Sequence, residues 1–219
     1  MPYSMALGAG RTLTILGASG HGKVVAETAL ASDWSEVEFY DRAWPDKQRV
    51  GRWAIAGDDA ALWTELTHKD GVVVAIGDNR TRLVLLERLR HSGAKLASIV
   101  HPTACISESA TLGQGTVAMA GSIVNADAVV GMGGILNTGC SVDHDCILGE
   151  AVHISPGAHL AGDVHVGARS WIGIGAVVRQ GVRIGSGVIV GAGAVVVSDV
   201  ADGLTVIGVP ARPAPADRD

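Results

Sequence analysis

Two adjacent residues, His144 and Asp145, carry the most pointed chemical possibility in this 219-residue chain. An imidazole titrates near neutrality, so it can take the proton that an amine or hydroxyl loses as it attacks an acyl carbon. An acid beside it can orient the ring. Taken alone, an exposed histidine with an acidic neighbour is more often an ordinary solvated pair, and its place in the fold must decide. The second possibility is the loop Gly17-Ala-Ser-Gly-His-Gly22. It follows the apolar run Leu13–Leu16 and precedes a helical stretch from Lys23 to about Ala31. A glycine-rich turn at a helix N-terminus offers backbone N–H groups to an anion. Its spacing, GxxGxG, is not the GxGxxG dinucleotide fingerprint.

Other polar clusters read differently. His153, His159 and His165 recur every six residues, which places them on three different faces of any six-residue coil. Ligands must converge on one ion, so a metal site is not expected. Cys140 and Cys146 replace small residues at inward corners and read as packing groups. The three cysteines have neither disulfide-framework nor CxxC spacing.

The element that must position His144 is a repeat. Written in sixes from Ile99, the chain reads IVHPTA CISESA TLGQGT and so on to VVVSDV, and the second residue of every block is apolar, from Val100 to Val196. The sixth residue is small or β-branched, and Gly often follows the apolar position, as at Gly113, Gly131, Gly149 and Gly167. A period of six is neither helical nor that of a half-exposed strand. It fits a short strand and a sharp turn, three sides closing one coil, with Gly expected to tolerate the turn's dihedrals. The expected fold class is therefore α/β plus all-β. A small Rossmann-like parallel domain (residues 1–98) precedes a parallel β-helix (99–212), and residues 213–219 are expected to be a disordered tail. In the first unit, strands over Leu13–Leu16, Val37–Tyr40 and Gly71–Ile76 alternate with helical segments, among them an amphipathic Arg80–His91. Asp41 stands where a ribose-binding acid would sit. So small a sheet leaves no nicotinamide half-site. A nucleotide or nucleotide-sugar is the better ligand, the alternative being a purely structural tight turn.

In order, GASGHGKVVAE, FYD, AIGDN, NTGCSVDHDC and HISPGAHLAGDV resemble the PglD/NeuD-type nucleotide-sugar acetyltransferases. The resemblance covers nearly the whole chain. It implies a left-handed β-helix, a homotrimer with sites between subunits, and acetyl-CoA as co-substrate. It also implies N-acetylation of an activated amino sugar, the 4-amino group foremost, in surface glycan biosynthesis, by direct attack in a ternary complex. His144 would be the general base and Asp145 its orienting acid, where the family usually carries Glu. His153 would contact acetyl-CoA near the thioester, and Gly173, Ile174 and Ala192 would line the CoA groove. The family commonly has Gly at the position of Ala192. Gly162, one coil after His144, could offer its N–H to a developing oxyanion. Asn137 could hold the acceptor sugar, and Arg212 in Gly208-Val-Pro-Ala-Arg212 a CoA phosphate. Ser19, Gly20, His21, Asp41 and Gly77 would hold the nucleotide. O-acetylation of a sialic-type sugar and a non-catalytic nucleotide-sugar sensor remain open as alternatives.

Composition sets the outer limits. Net charge is −5 with no basic run, so a nucleic-acid partner is not expected. The opening MPYSMALGAG lacks a basic n-region and a sustained apolar core, and no segment is long enough to span a bilayer. The expected location is the cytoplasm.

Overall fold

The computed structural model describes residues 10–215; residues 1–9 and 216–219, where the reading of the opening segment and the end of the expected tail fall, lie outside it. The apolar run after Arg11 forms β1 (Thr12–Leu16), which pairs in parallel with β2 (Glu36–Tyr40) on one side. Its other neighbour is β5 (Gly71–Val74), also parallel. Two strands not anticipated from sequence, β3 (Arg49–Val50) and β4 (Trp53–Gly57), extend the sheet to the order β3-β4-β2-β1-β5. Helix α1 (Gly20–Ala31) starts three residues before the expected Lys23, because extended Ser19 acts as N-cap and the loop glycines enter the first turn. Helix α2 (Asp59–Glu65) was also not anticipated. It and α3 (Asn79–His91) are capped by Asp58 and Asp78, whose carboxylates accept the N–H groups of Ala61 and Thr81.

From Ile99 the chain winds as a parallel β-helix with three faces. The first face carries the two-residue strands Ile99–Val100, Val117–Ala118, Ile135–Leu136, His153–Ile154, Trp171–Ile172 and Ile189–Val190. The second runs from Cys105–Ile106 to Val195–Val196, and the third from Thr111–Leu112 to Arg183–Ile184. Strand residues pair with those eighteen positions on, as Val142 with Leu160 and Leu148 with Val166, until the last coil, where Ile189 pairs with Thr205, sixteen on. The second-position side chains fill the prism and the small sixth-position residues its corners, including Cys140, Cys146 and Ala158. Burial pushes the thiols of Cys140 and Cys146 up to about 12 and about 11, which suits packing groups and not nucleophiles. Beyond Val196 the chain returns to the first face as Thr205–Ile207, which pairs antiparallel with Arg212–Pro213. Ala214 N–H donates to Thr205 O, so backbone pairing runs past the expected start of the tail at residue 213.

One expectation is corrected. The glycines after the apolar position are not there for their dihedrals, since none of Gly113, Gly131, Gly149 and Gly167 has a positive φ. They are there because successive coils approach too closely for a side chain. A Cβ at Gly167 would lie 2.4 Å from Ser186 N and 2.5 Å from the carbonyl carbon of Gly185. The left-handed positions fall two residues later, at Gly115, Gly133, Asp145, Ala151 and Asp163 among others. A Gly167→Ala protein must push two coils apart, and we expect it to lose about 1–3 kcal/mol in denaturant unfolding. An unchanged midpoint would show that the stack can give at that level.

The two units share a core. Leu13, Val25 and Phe39 of the α/β unit pack with Ile99, Val117, Met119 and Ile135 of the first face. Arg82 of α3 is only 1% exposed and has no carboxylate partner among the described residues. Its five N–H groups instead reach Gly133 O, Ala151 O, Ile76 O, Gly77 O and Asn79 Oδ1. Asn79 in turn donates to Arg169 O and Ser170 O. Gly133, Ala151 and Arg169 are stacked left-handed turn residues, so one helical turn of α3 pins three successive coils. Among the described residues no helix is long and apolar enough to cross a membrane.

Candidate active site

His144 and Asp145 lie on the edge between the second and third faces, both side chains 60% exposed. His144 Nδ1 is 2.7 Å from Asp145 Oδ2. With Nδ1–H donating to the carboxylate, Nε2 carries the lone pair. The His144 N–H donates to Asp143 Oδ1, a carboxylate also held by Asn125 Nδ2. The hydrogen bond that the Asp145 carboxylate accepts, followed by the charge of Asp143, raises the His144 pKa above its ordinary value. Asp145 sits at φ 59°, in the left-handed region that short polar side chains tolerate best. Its reach is sufficient despite being one methylene shorter than Glu. Gly162, one coil on, is pressed against the imidazole: a Cβ there would lie 2.5 Å from His144 Cε1 and Nε2.

The other expected residues sit elsewhere on the prism. His153 is on the first face, 9% exposed, with its ring stacked on Trp171 at 5.5 Å and 4°. Asn137 follows the neighbouring strand, and its amide Nδ2 is 3.2 Å from His153 Nε2. The amide is thus already engaged by the protein. Gly173, Ile174 and Ala192 line the edge between the first and second faces, with Ile174 58% exposed. Arg212 is exposed and donates to Ala211 O. His144 and His153 are therefore on different parts of the prism within one chain, with the third-face strand Ile147–Leu148 between them along the coil. His153, His159 and His165 stand on the first, second and third faces respectively. Among the described residues no group of three or more His, Cys, Asp and Glu side chains is placed to hold a metal ion.

At the carboxyl ends of β1, β2 and β5 lies a cavity of about 620 Å³, walled by Ser19, Asp41, Arg42, Asp59, Gly77 and Asp78 among others. This is the crevice in which open α/β sheets hold ligands. The Ser19 hydroxyl makes no capping bond and is free in it. Asp41 is partly committed: Oδ2 accepts Ala18 N–H at 2.6 Å and Oδ1 accepts Ala43 N–H at 2.9 Å, bracing the glycine-rich loop. Gly20 and His21 enter α1 and do not wall the cavity. His21 Nε2 is buried without a partner, and burial and then Arg82 hold its pKa down at about 4. Arg82, Asn79 and Trp171 were not singled out from sequence. An arginine within an amphipathic helix carries no local mark of burial, and only the coil carbonyls facing it reveal its role.

Residues 12–89 match the family described as the PglD N-terminal domain, and residues 163–198 match bacterial transferase hexapeptide repeats. The acetyltransferase domain of PglB from Neisseria gonorrhoeae, solved with acetyl coenzyme A, is 45% identical. The likeness covers 93% of this chain and 99% of that one, with a TM-score of 0.89. PerB from Caulobacter crescentus, solved with CoA and GDP-perosamine, is 43% identical over 94% of this chain and 98% of its own, with a TM-score of 0.88. A UDP-N-acetylbacillosamine N-acetyltransferase of Bacillus subtilis is 36% identical over 112 residues, 50% of this chain. The match spans about half of that curated relative, 52% of its length.

Proposed function

The chain belongs to the PglD/NeuD-type nucleotide-sugar acetyltransferases with hexapeptide repeats, and from that premise we propose that it transfers the acetyl group of acetyl-CoA to the amino group of a nucleotide-activated amino sugar, the 4-amino group foremost. The observation that carries this reading is the His144–Asp145 pair, with a free imidazole nitrogen held against Gly162. Residues up to 98 hold the nucleotide in the cavity walled by Ser19, Asp41 and Gly77, and residues 99–212 carry the acetyl transfer.

The amine lone pair attacks the thioester carbonyl, the N–C bond forms, and negative charge develops on the carbonyl oxygen. The Gly162 N–H stabilises that oxygen. His144 Nε2 takes the proton released from the amine, and Asp145 stabilises the imidazolium through Nδ1. The C–S bond then breaks, and His144 returns the proton to the departing thiolate. The separation of His144 from His153, Ile174 and Ala192 supports a site shared between copies. A homotrimer sets the His144 edge of one copy against the His153 side of the next, which completes the groove for CoA.

The test is thiol release from acetyl-CoA with UDP-, GDP- and dTDP-linked 4-amino sugars, beside their 4-hydroxy counterparts. We expect turnover with at least one amino sugar and none with its hydroxy analogue. Release only with hydroxy sugars would mean O-acetylation. Tight binding without release from any of them would mean a sensor.

A further inference from the structure

We propose that Asn137 and Arg82 are positioning residues that hold His153 as a neutral imidazole with its proton on Nδ1, a fixed donor kept for an oxygen of the ligand. The orientation of the Asn137 amide follows from its own neighbours. Oδ1 accepts the Thr138 N–H at 2.8 Å, so Nδ2 is the atom turned toward His153. An amide nitrogen only donates, so His153 Nε2 must receive its hydrogen with a lone pair. The ring proton is therefore on Nδ1. The ring lies flat on Trp171, whose Nε1–H is tied to Ser155 Oγ at 2.6 Å, and turning it over in that plane would forfeit the Asn137 bond.

Arg82 excludes a second proton. All its donors end on uncharged oxygens, among them Ala151 O two residues before His153, and Asp78 at the N-cap of α3 acts on its charge without pairing with it. The groups acting on His153 are Arg82 from α3 and His21 from α1, and no carboxylate is among them. Burial, then Arg82, then His21 hold the His153 pKa down at about 3. A second proton would also set Nε2–H against the amide hydrogens of Asn137. His153 is thus unfit to be a base at neutral pH and does not compete with His144 for the substrate's proton.

What remains is the Nδ1–H itself, buried and without a partner in the chain. Buried donors are almost always paired, and one left open beside a proposed substrate site suits an acceptor that arrives with the ligand. A thioester carbonyl oxygen is such an acceptor. That last step rests on the acetyl-transfer reading, whereas the protonation state does not.

The test is nitrogen NMR of the full-length protein carrying 15N-labelled histidine, from about pH 5 to 8, the span in which an unperturbed imidazole titrates. We expect wild-type His153 to be neutral and Nδ1-protonated throughout. In Asn137→Asp the new carboxylate accepts from Nε2, so the proton should move there and the ring should titrate within the window. kcat/KM should gain a matching pH dependence, which mere loosening of the site would not produce. Arg82→Met should also bring the His153 titration upward. If that variant does not fold, Asn137→Asp carries the test alone. A wild-type signal showing Nε2–H, or an Asn137→Asp protein with tautomer and titration unmoved, would overturn the proposal. Failure to find an acceptor sugar would leave these spectra unaffected.

Discussion

A His144→Ala protein should fold normally and lose acetyl transfer by roughly 10²–10⁴-fold in kcat, the usual contribution of a positioned general base. The side chain is 60% exposed, so its removal opens no cavity, and KM for both substrates should change little. The pH profile gives a sharper signature. Only neutral imidazole accepts a proton, so activity must fall as pH drops through the His144 pKa. The Asp145 hydrogen bond raises that pKa, which places the acid limb above where a free histidine would set it. Asp145→Asn removes the largest cause of the shift and should move the limb to lower pH, with reduced turnover on the plateau. A His144→Ala protein within a few-fold of wild type would remove the residue from the mechanism. A limb unmoved in Asp145→Asn would mean that another group titrates there.

The scaffold was legible because the hexad is a geometric statement: each block is one face, so eighteen residues close a coil and Val142 must sit beside Leu160. The same arithmetic places Gly162 beside His144. It also keeps His153, a block and a half further on, away from that edge. The glycines were legible as a column but not in their cause. Sequence suggests dihedral freedom, whereas the structure shows backbone approach, with Gly167 against Ser186 N. What was not legible is what depends on contacts between the two units. Nothing local marks Arg82 as the buried pin between α3 and three coils, because its partners are carbonyls at Gly133 and Ala151, which any residue type supplies. Nor could spacing show that the Asn137 amide faces His153, a relation set by one backbone N–H at Thr138. The strands at Arg49–Val50 and Trp53–Gly57 are short and follow the charge-rich segment Asp41–Gln48 with Pro45, which masks their pairing.

The placement of His144 can be tested without touching it. Gly162→Ala should cost roughly 10²-fold in kcat, the scale at which a displacement of about 1 Å disables a positioned group. Its φ is not in the left-handed region, so alanine fits the backbone. The added Cβ meets His144 Cε1 and Nε2 at 2.5 Å, the far end of an exposed side chain, and no backbone atom lies among its three nearest neighbours. The ring swings outward while the coil stays in place, so the unfolding midpoint should remain within about 0.5 kcal/mol of wild type. Alanine keeps the residue 162 N–H, so the loss reports the displaced base and not a missing oxyanion donor. The ring would also leave the 2.7 Å bond to Asp145, which moves the acid limb in the same direction as Asp145→Asn. Because both substitutions act through one imidazole, the double variant Gly162→Ala/His144→Ala should be no slower than His144→Ala alone. Additive losses would instead assign residue 162 a role independent of His144. Full activity in Gly162→Ala would mean that the ring can leave this position at no cost to catalysis.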